Sequence, residues 1–264
     1  MINGNSALKT LADQLARTWP DPTSPIELVS GQCPRNRDEA YYVQDYMFDA
    51  LDESLAGWKV GATSAKMRAL DGHDDVIPGR IISSTCYVGT QLNLPISRFP
   101  NARAETEFAF RLTETPALRS APWRAEDMAA IMTLHPAIEI IGNRYLMEGA
   151  SKAQNSLMTI ADNGGGMGFV FGDPIDDWQD LDFQNHVITL RVDDNAPAEN
   201  FLGDMRCVPA QAAADLVNHL ASRNISMHAG DFLSTGAATV PQPFQAGSKV
   251  HADFGTLGMI ELTF

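Results

Sequence analysis

Positive charge and cysteine are both scarce in this 264-residue chain. Its 19 Lys and Arg stand against 33 Asp and Glu, a formal charge of −14. Nucleic acid and anionic membrane surfaces are therefore not expected as main partners, and a small anionic substrate needs a local cation to enter. The three cysteines, Cys33, Cys86 and Cys207, are far apart and form no C-x-x-C pair. That excludes a disulfide framework and a zinc ribbon, and it makes a cytoplasmic protein the simplest expectation. No uninterrupted apolar segment approaches the ~18 residues of a membrane helix. The opening Met-Ile-Asn-Gly-Asn-Ser lacks the basic and apolar regions of a signal peptide, so neither secretion nor membrane insertion is expected. There is no internal repeat, low-complexity tract or charge run. The six histidines offer no pair at i, i+4, and none precedes His73.

What is present is 44% apolar residues, enough for one large domain or for a small cap on a core domain. Leu8, Leu11, Leu15 and Trp19 recur at helical spacing after Ser6 and stop at Pro20 and Pro22, predicting a first helix. Ala40, Val43, Tyr46, Met47, Ala50 and Leu51 form a second stripe between Asn36 and Leu55. From Trp58 onward short apolar runs are punctuated by Gly, Pro and Asn, among them 86–88, 108–110, 187–190 and 258–264. Helical patterns interrupt them only over 125–132 and 210–222. The expected class is therefore α+β, with mostly sheet in the body and no doubly wound parallel sheet.

Chemistry concentrates in Ala104-Glu105-Thr106-Glu107-Phe108-Ala109-Phe110. Strict alternation puts Thr106, Phe108, Phe110 and Leu112 on one face of a strand and Glu105, Glu107, Ala109 and Arg111 on the other. The two carboxylates then project the same way from Cα atoms roughly 7 Å apart, and they repel each other unless a cation sits between them. Glu139 lies in the apolar run His135-Pro136-Ala137-Ile138-Glu139-Ile140-Ile141, where a buried carboxylate needs a partner. Three carboxylates without a neighbouring Cys or His pair suit magnesium, manganese or calcium better than zinc. The alternative is a solvated face for Glu105 and Glu107, with Glu139 paired to an arginine such as Arg144.

Seven segments in order resemble the fumarylacetoacetate hydrolase superfamily, in its branch of 2-oxopent-4-enoate hydratases and 4-oxalocrotonate decarboxylases of aromatic catabolism. They are residues 40–44 (AYYVQ), 57–64 (GWKVGATS), 104–107 (AETE), 136–140 (PAIEI), 161–163 (ADN), 230–236 (GDFLSTG) and 253–258 (DFGTLG). The resemblance implies a mixed β-roll core over 96–264 and a smaller helical amino-terminal cap over 1–95. It also implies Glu105, Glu107 and Glu139 as ligands of Mg2+ or Mn2+, and a homo-oligomer, with a sister hydratase or decarboxylase subunit as a further partner. The implied activity is hydration of a 2-hydroxy-2,4-dienoate to a 4-hydroxy-2-oxo acid. Decarboxylation of a 4-oxalocrotonate-like diacid, a non-catalytic partner subunit, and an acylpyruvate-type carbon–carbon hydrolase are the alternatives. Hydrolytic members typically carry a His and Glu pair near the amino terminus to activate water, and this chain has no histidine there.

Within the matching motifs, Lys59 is expected to contact the substrate carboxylate or move a proton; otherwise it is a lysine snorkelling to solvent. Asp162 is expected to be catalytic, and Ser64, Asn163, Gly164 and Thr235 to bind substrate. Ser64 and the cysteines have no evident triad partners. Asp162 and Asn163 precede Gly164-Gly165-Gly166, where a backbone without side chains approaches a ligand closely or simply makes an Asx-capped turn. Two departures weaken the hydratase assignment relative to the superfamily. Serines common after Asp-Asn in that branch are glycines here, and an acid common before Gly79 is replaced by Ile77-Pro78, with His73, Asp74 or Asp75 as shifted substitutes.

Overall fold

The structure is a computed structural model that describes residues 6–28 and 30–264. The leucine stripe folds as α1 (Ser6–Thr18) with Leu8, Leu11 and Leu15 buried. The next helix, α2 (Arg37–Leu51), starts at Asn36, whose side chain accepts the Glu39 N–H at 2.9 Å; such a cap satisfies one of the amide groups a helix start leaves open. There follow α3 (Ala65–Asp71), α4 (Ala125–Ala129), α5 (Lys152–Ala161) and α6 (Pro209–Ser222). Among the described residues no helix is long and apolar enough to cross a membrane.

The strands are β1 (Leu55–Gly61), β2 (Ile77–Ile82), β3 (Cys86–Val88), β4 (Gln91–Asn93), β5 (Arg103–Leu112) and β6 (Met132–Ile141). They continue with β7 (Gly166–Phe171), β8 (Thr189–Val192), β9 (Phe232–Ala237), β10 (Lys249–Asp253) and β11 (Met259–Thr263). One sheet runs β2-β1-β9-β5-β6-β7-β3, with Gln242–Pro243 added beside the start of β5; a smaller one runs β8-β10-β11-β4. Both are mixed: β9 is parallel to β1 and β3 to β7, whereas β5, β6 and β7 are antiparallel neighbours.

The large sheet curls until its β2 end meets the segment entering β7. Asn163 closes this seam: its Oδ1 accepts the Arg80 N–H at 2.6 Å and its Nδ2 donates to the Arg80 carbonyl at 2.8 Å. One side-chain amide thus replaces two ladder bonds, from a left-handed backbone (φ 56°) that asparagine tolerates better than most residues. The outer face carries Trp58, Phe108, Phe110, Ile138 and Leu233 against the smaller sheet and α6, the largest core of the molecule. At about 1.5–3 kcal/mol for each large apolar side chain fully buried, this layer dominates the stabilisation. The inner face is apolar at one end, where Phe169, Phe171 and Phe232 stack, and acidic at the other.

A separate core joins α1, α2 and α5. The division expected at residue 95 does not follow these packing units, because β1 to β4 precede it and belong to the sheets, while α5 follows it and packs with α2. Gln44 of the second helix shows how the units are tied: its buried amide donates to the carbonyls of Pro78 and Ile160 and accepts from Arg80. The pattern over 125–132 is helical only to Ala129, since Met132 opens β6, and the run over 187–190 becomes strand from Thr189.

Candidate active site

Alternation along β5 turns Glu105 and Glu107 to the inner face, and antiparallel pairing sets Glu105 directly opposite Glu139 of β6. Each rung of that ladder has a defined content: Arg103 faces Ile141, Glu105 faces Glu139, and Glu107 faces Ala137. One carboxylate oxygen from each of the three glutamates lies within 4.8 Å of the others, and their residues are exposed by only 7, 1 and 2%. The alternative of a solvated pair with Glu139 held by Arg144 is not what the fold contains.

Glu107 is fixed from behind. A register shift in β9 between Ser234 and Ala237 points the N–H groups of Thr235 and Gly236 at its Oε2, at 3.1 and 3.0 Å. A bulge re-aims backbone groups in this way. Lys59 of β1 sits between Trp58 and Val60, which enter the outer core, so its own side chain runs inside the roll. Its Nζ lies 3.3 Å from Glu139 Oε1 and donates to the Gly164 carbonyl. The 3.3 Å approach is an ion pair without hydrogen-bond alignment, so Glu139 Oε1 remains a buried oxygen with no hydrogen bond.

Burial and then Glu107 push the Glu105 carboxyl up to about 8, with Lys59 acting in the opposite sense. Burial likewise raises Glu139 well above the ordinary carboxylate range, Lys59 opposes it, and Glu107 and Glu105 reinforce it. Three clustered carboxyls, of which Glu105 and Glu139 resist ionisation and Glu139 has an orphaned oxygen, form a donor set that a hard divalent cation fits. These residues are therefore suited to hold magnesium or manganese.

The glutamates open into a cleft of about 400 Å3. Lys59, Thr63, Ser64, His73 and Arg103 supply polar groups, and Met67, Ile141, Phe201, Met205 and Pro241 supply apolar wall. A separate depression at Pro116–Trp123 is lined by no such constellation and holds none of the carboxylates.

The remaining expected site residues divide. Ser64 reaches the cleft, but its hydroxyl caps α3 at Met67 N and donates to the Asp204 carbonyl at 2.8 Å. Thr235 acts through its backbone N–H, since its hydroxyl is buried on the Phe108 carbonyl. Asn163 is the seam bracket, and Gly164 supplies the carbonyl that holds Lys59. The expected catalytic role of Asp162 is corrected by its position. It is fully buried outside the cleft, accepting from Arg144 N at 2.8 Å and pairing with Arg144 Nη1 at 3.0 Å, while the guanidinium lies over the Trp19 ring. This is a clamp among α1, α5 and the β6–β7 connection. Sequence reading missed Thr63, Met67, Phe201, Met205 and Pro241 as cleft walls, because they come from turns, irregular segments and the short α3, none of which shows a periodic pattern. Arg103 carried a usable signal, standing two residues before Glu105 on the same strand face.

No family model matches the chain. It is 28% identical over 226 residues to a 2-oxo-hept-4-ene-1,7-dioate hydratase from Escherichia coli, covering 81% of this chain and 80% of the relative. A 4-oxalocrotonate decarboxylase from a Pseudomonas species is 26% identical over 209 residues, covering 78% and 77%. Among solved structures, 4-oxalocrotonate decarboxylase from Pseudomonas putida G7, complexed with magnesium and adipate, superposes with a TM-score of 0.84 at 20% identity over 99% of this chain and 98% of that one. Fumarylpyruvate hydrolase from Pseudomonas aeruginosa, in complex with Mn2+ and pyruvate, gives 0.52 at 14% identity over 80% and 91%. A fumarylacetoacetate hydrolase family protein from Yersinia pestis CO92 gives 0.56 at 17% identity over 81% and 95%. The chain is thus similar in sequence to a hydratase and a decarboxylase, and it shares its fold with proteins of the fumarylacetoacetate hydrolase superfamily.

Proposed function

We propose that the protein is a divalent-metal-dependent lyase that hydrates a 2-hydroxy-2,4-dienoate to a 4-hydroxy-2-oxo acid in aromatic catabolism. The observation that carries this reading is the convergence of Glu105, Glu107, Glu139 and Lys59 on one cleft. Glu105, Glu107 and Glu139 would hold a magnesium or manganese ion, which when bound would supply Lewis-acid stabilisation of negative charge on the substrate's C2 oxygen. The chain's own residues prepare the rest. The Thr235 and Gly236 amides hold Glu107 in one orientation, and Glu139 with the Gly164 carbonyl holds the Lys59 ammonium at the cleft floor. There Lys59 contacts the substrate carboxylate or carries a proton. In a balanced hydration, a proton delivered to C5 of the dienol, with loss of the C2 hydroxyl proton, gives the conjugated 2-oxo-3-enoate. The oxygen of water then bonds to C4, its proton leaves, and a proton is added at C3. Met67, Phe201 and Met205 line a wall suited to the hydrocarbon part of such an acid.

Decarboxylation of a 2-oxo-3-hexenedioate is the second reading, favoured by the near-complete superposition on the Pseudomonas putida decarboxylase. Both reactions need charge stabilised at the same C2 oxygen. A homo-oligomer, or assembly with a sister subunit, belongs to this proposal as well. The test is turnover by chelator-stripped protein reloaded with magnesium or manganese, offered 2-hydroxypenta-2,4-dienoate and 2-oxohex-3-enedioate, with dienol absorbance and product mass followed. Gain of one water supports the hydratase, and loss of carbon dioxide from the diacid alone supports the decarboxylase. Glu107→Gln is expected to abolish metal binding and turnover together; retained turnover sinks the assignment.

A further inference from the structure

We infer that His73 carries the proton exchanged at the hydrocarbon end of the substrate, and that Ser156 of α5 positions its ring. This deepens the hydratase reading and rests on it for the identity of the reacting carbons. Of the three side chains that could replace the acid absent before Gly79, only His73 lines the cleft. Asp74 is exposed. Asp75 belongs to a different depression, where its Oδ2 lies 3.5 Å from His219 Nδ1 while its Oδ1 accepts the Val76 N–H at 2.8 Å. The backbone that presents His73 is fixed. Helix α3 ends on the left-handed Gly72 (φ 78°), and the N–H groups of Gly72 and His73 both donate to the Arg68 carbonyl, at 2.9 and 3.0 Å; such an end satisfies the last carbonyls of a helix. Helix α5 then holds this end from two side chains one turn apart. Lys152 Nζ donates to the Leu70 carbonyl at 3.0 Å, and the buried Ser156 Oγ lies 2.6 Å from His73 Nδ1. Gly72 admits that approach, since a Cβ there would stand 3.2 Å from Lys152 Cβ.

With Nδ1 on Ser156, the opposite edge of the ring, which carries Nε2, is turned away from α5, and the ring lines the cleft. The choice of partner matters. A hydroxyl oxygen accepts from Nδ1–H both in the imidazolium and in the neutral tautomer that is bare at Nε2, so the ring keeps its place while Nε2 gains and loses a proton. Lys59 is engaged at the floor by Glu139 and the Gly164 carbonyl. The α3 arm carries Met67 of the apolar wall as well as His73, so the imidazole comes to the cleft from the side that meets hydrocarbon. The proton account closes at this one residue. The Nε2–H bond breaks as its proton bonds to C5 of the dienol, and the C2 hydroxyl proton leaves to solvent. The oxygen of water then bonds to C4 while its proton passes to Nε2, and the electron pair of the C3–C4 double bond moves toward the C2 oxygen. A proton from solvent adds at C3 and restores the 2-oxo group.

The test reads proton transfer at the two ends of the acid separately. In D2O, magnesium-loaded protein is offered 2-hydroxypenta-2,4-dienoate, with water addition and deuterium at C5 followed by mass and NMR. It is also offered 2-oxopentanoate, a saturated acid whose exchange at C3 needs only the 2-oxo acid end. His73→Ala is expected to lose about 100-fold or more in kcat on the dienoate, the usual worth of a general acid–base group. Its C3 exchange and its calorimetric magnesium binding should be kept, and added imidazole should restore about tenfold of the lost rate. Ser156→Ala should lose about tenfold in kcat with KM little moved, as one hydrogen bond would give. In the His73→Ala background the serine change should add nothing, whereas a merely structural serine would act in both. Melting curves of the variants check that the fold is retained. Wild-type turnover in His73→Ala, an equal loss of C3 exchange, a loss that imidazole leaves untouched, or a serine effect that persists without the histidine overturns the inference and leaves the lyase standing. A wild type that exchanges C3 but adds no water to the dienoate removes the hydratase reading, and this role with it.

Discussion

Replacing Gly164 by alanine should damage the site far more than the fold, and an equivalent replacement at Gly149 supplies the control. Both glycines have left-handed backbones, φ 66° and 68°. An alanine at either place carries the same conformational cost of roughly 1–2 kcal/mol. Their surroundings differ. A Cβ at Gly149 meets nothing within 4 Å, whereas at Gly164 it falls 2.6 Å from Lys59 Cε and 3.0 Å from Nζ. The end of a lysine can move aside, so the overlap itself is cheap. What is lost is the reason the lysine is there: Nζ leaves the Gly164 carbonyl and its 3.3 Å approach to Glu139. Hydrogen bonds to charged groups contribute about 1.5–3 kcal/mol each, so Gly164→Ala should be less stable than Gly149→Ala by about that amount. At about 2–4 °C per kcal/mol for a chain of this size, the Tm difference is about 3–12 °C. Displacing a positioned group by an ångström costs about 100-fold in rate, so turnover of Gly164→Ala should fall by that factor or more while Gly149→Ala stays near wild type. Differential scanning calorimetry and steady-state kinetics on the pair decide the matter. Equal Tm and equal turnover in the two variants would refute the claim that Gly164 exists to admit Lys59.

Three further outcomes follow from the same geometry. Asp162→Asn strips a fully buried arginine of its counter-charge and should cost about 3–5 kcal/mol by denaturant unfolding; unchanged stability with a several-hundredfold loss of turnover would return Asp162 to the chemistry. Chelation should lower the Tm and magnesium or manganese restore it, because a ligand that binds only the folded cluster stabilises it by mass action; in Glu107→Gln the metal should have little effect, and an equal response there would remove Glu107 from the ligand set. His135 and His219 both have pKa values depressed chiefly by burial. The unfolded chain therefore takes up their protons first, and stability should fall as the pH drops below the ordinary histidine value of 6.5. Removing one site with His219→Gln should flatten that decline, and an unchanged slope would show that burial of this ring does not set it.

The legible part of the fold was whatever repeated along one segment. The stripes of α1, α2 and α6 and the alternation of β5 are local patterns, and they located both the helices and the paired glutamates. What decided the site was pairing register, which no single strand carries: Glu139 is opposite Glu105 only because β6 aligns that way. The missed α5 had a signal, a reciprocal cap between Ser151 and Gln154. Asp162 misled for a physical reason. An acid before three glycines reads as a loop acid, but Arg144, 18 residues earlier, reaches it only after both have been buried under Trp19.

Gly164 and Gly166, which depart from the hydratase pattern, share a cause with Gly79 once Lys59 is traced through the roll. Cβ atoms built at Gly79, Gly164 and Gly166 would approach its Cε to 3.2, 2.6 and 3.6 Å. Three glycines from β2, the Asn163 turn and β7 therefore line one passage for the lysine stem. Gly79 is closed further, since its Cβ would stand 2.4 Å from the Asn163 carbonyl oxygen. A serine at position 164 would bring its hydroxyl to the space Lys59 fills, so in this chain the loop cannot supply both a hydroxyl and this lysine position. Pro78, where an acid was expected, is paired with Val60, on the sheet face turned from Lys59. An acid there would not enter the roll. Among the polar groups that line the cleft is His73, whose Nδ1 lies 2.6 Å from Ser156 Oγ.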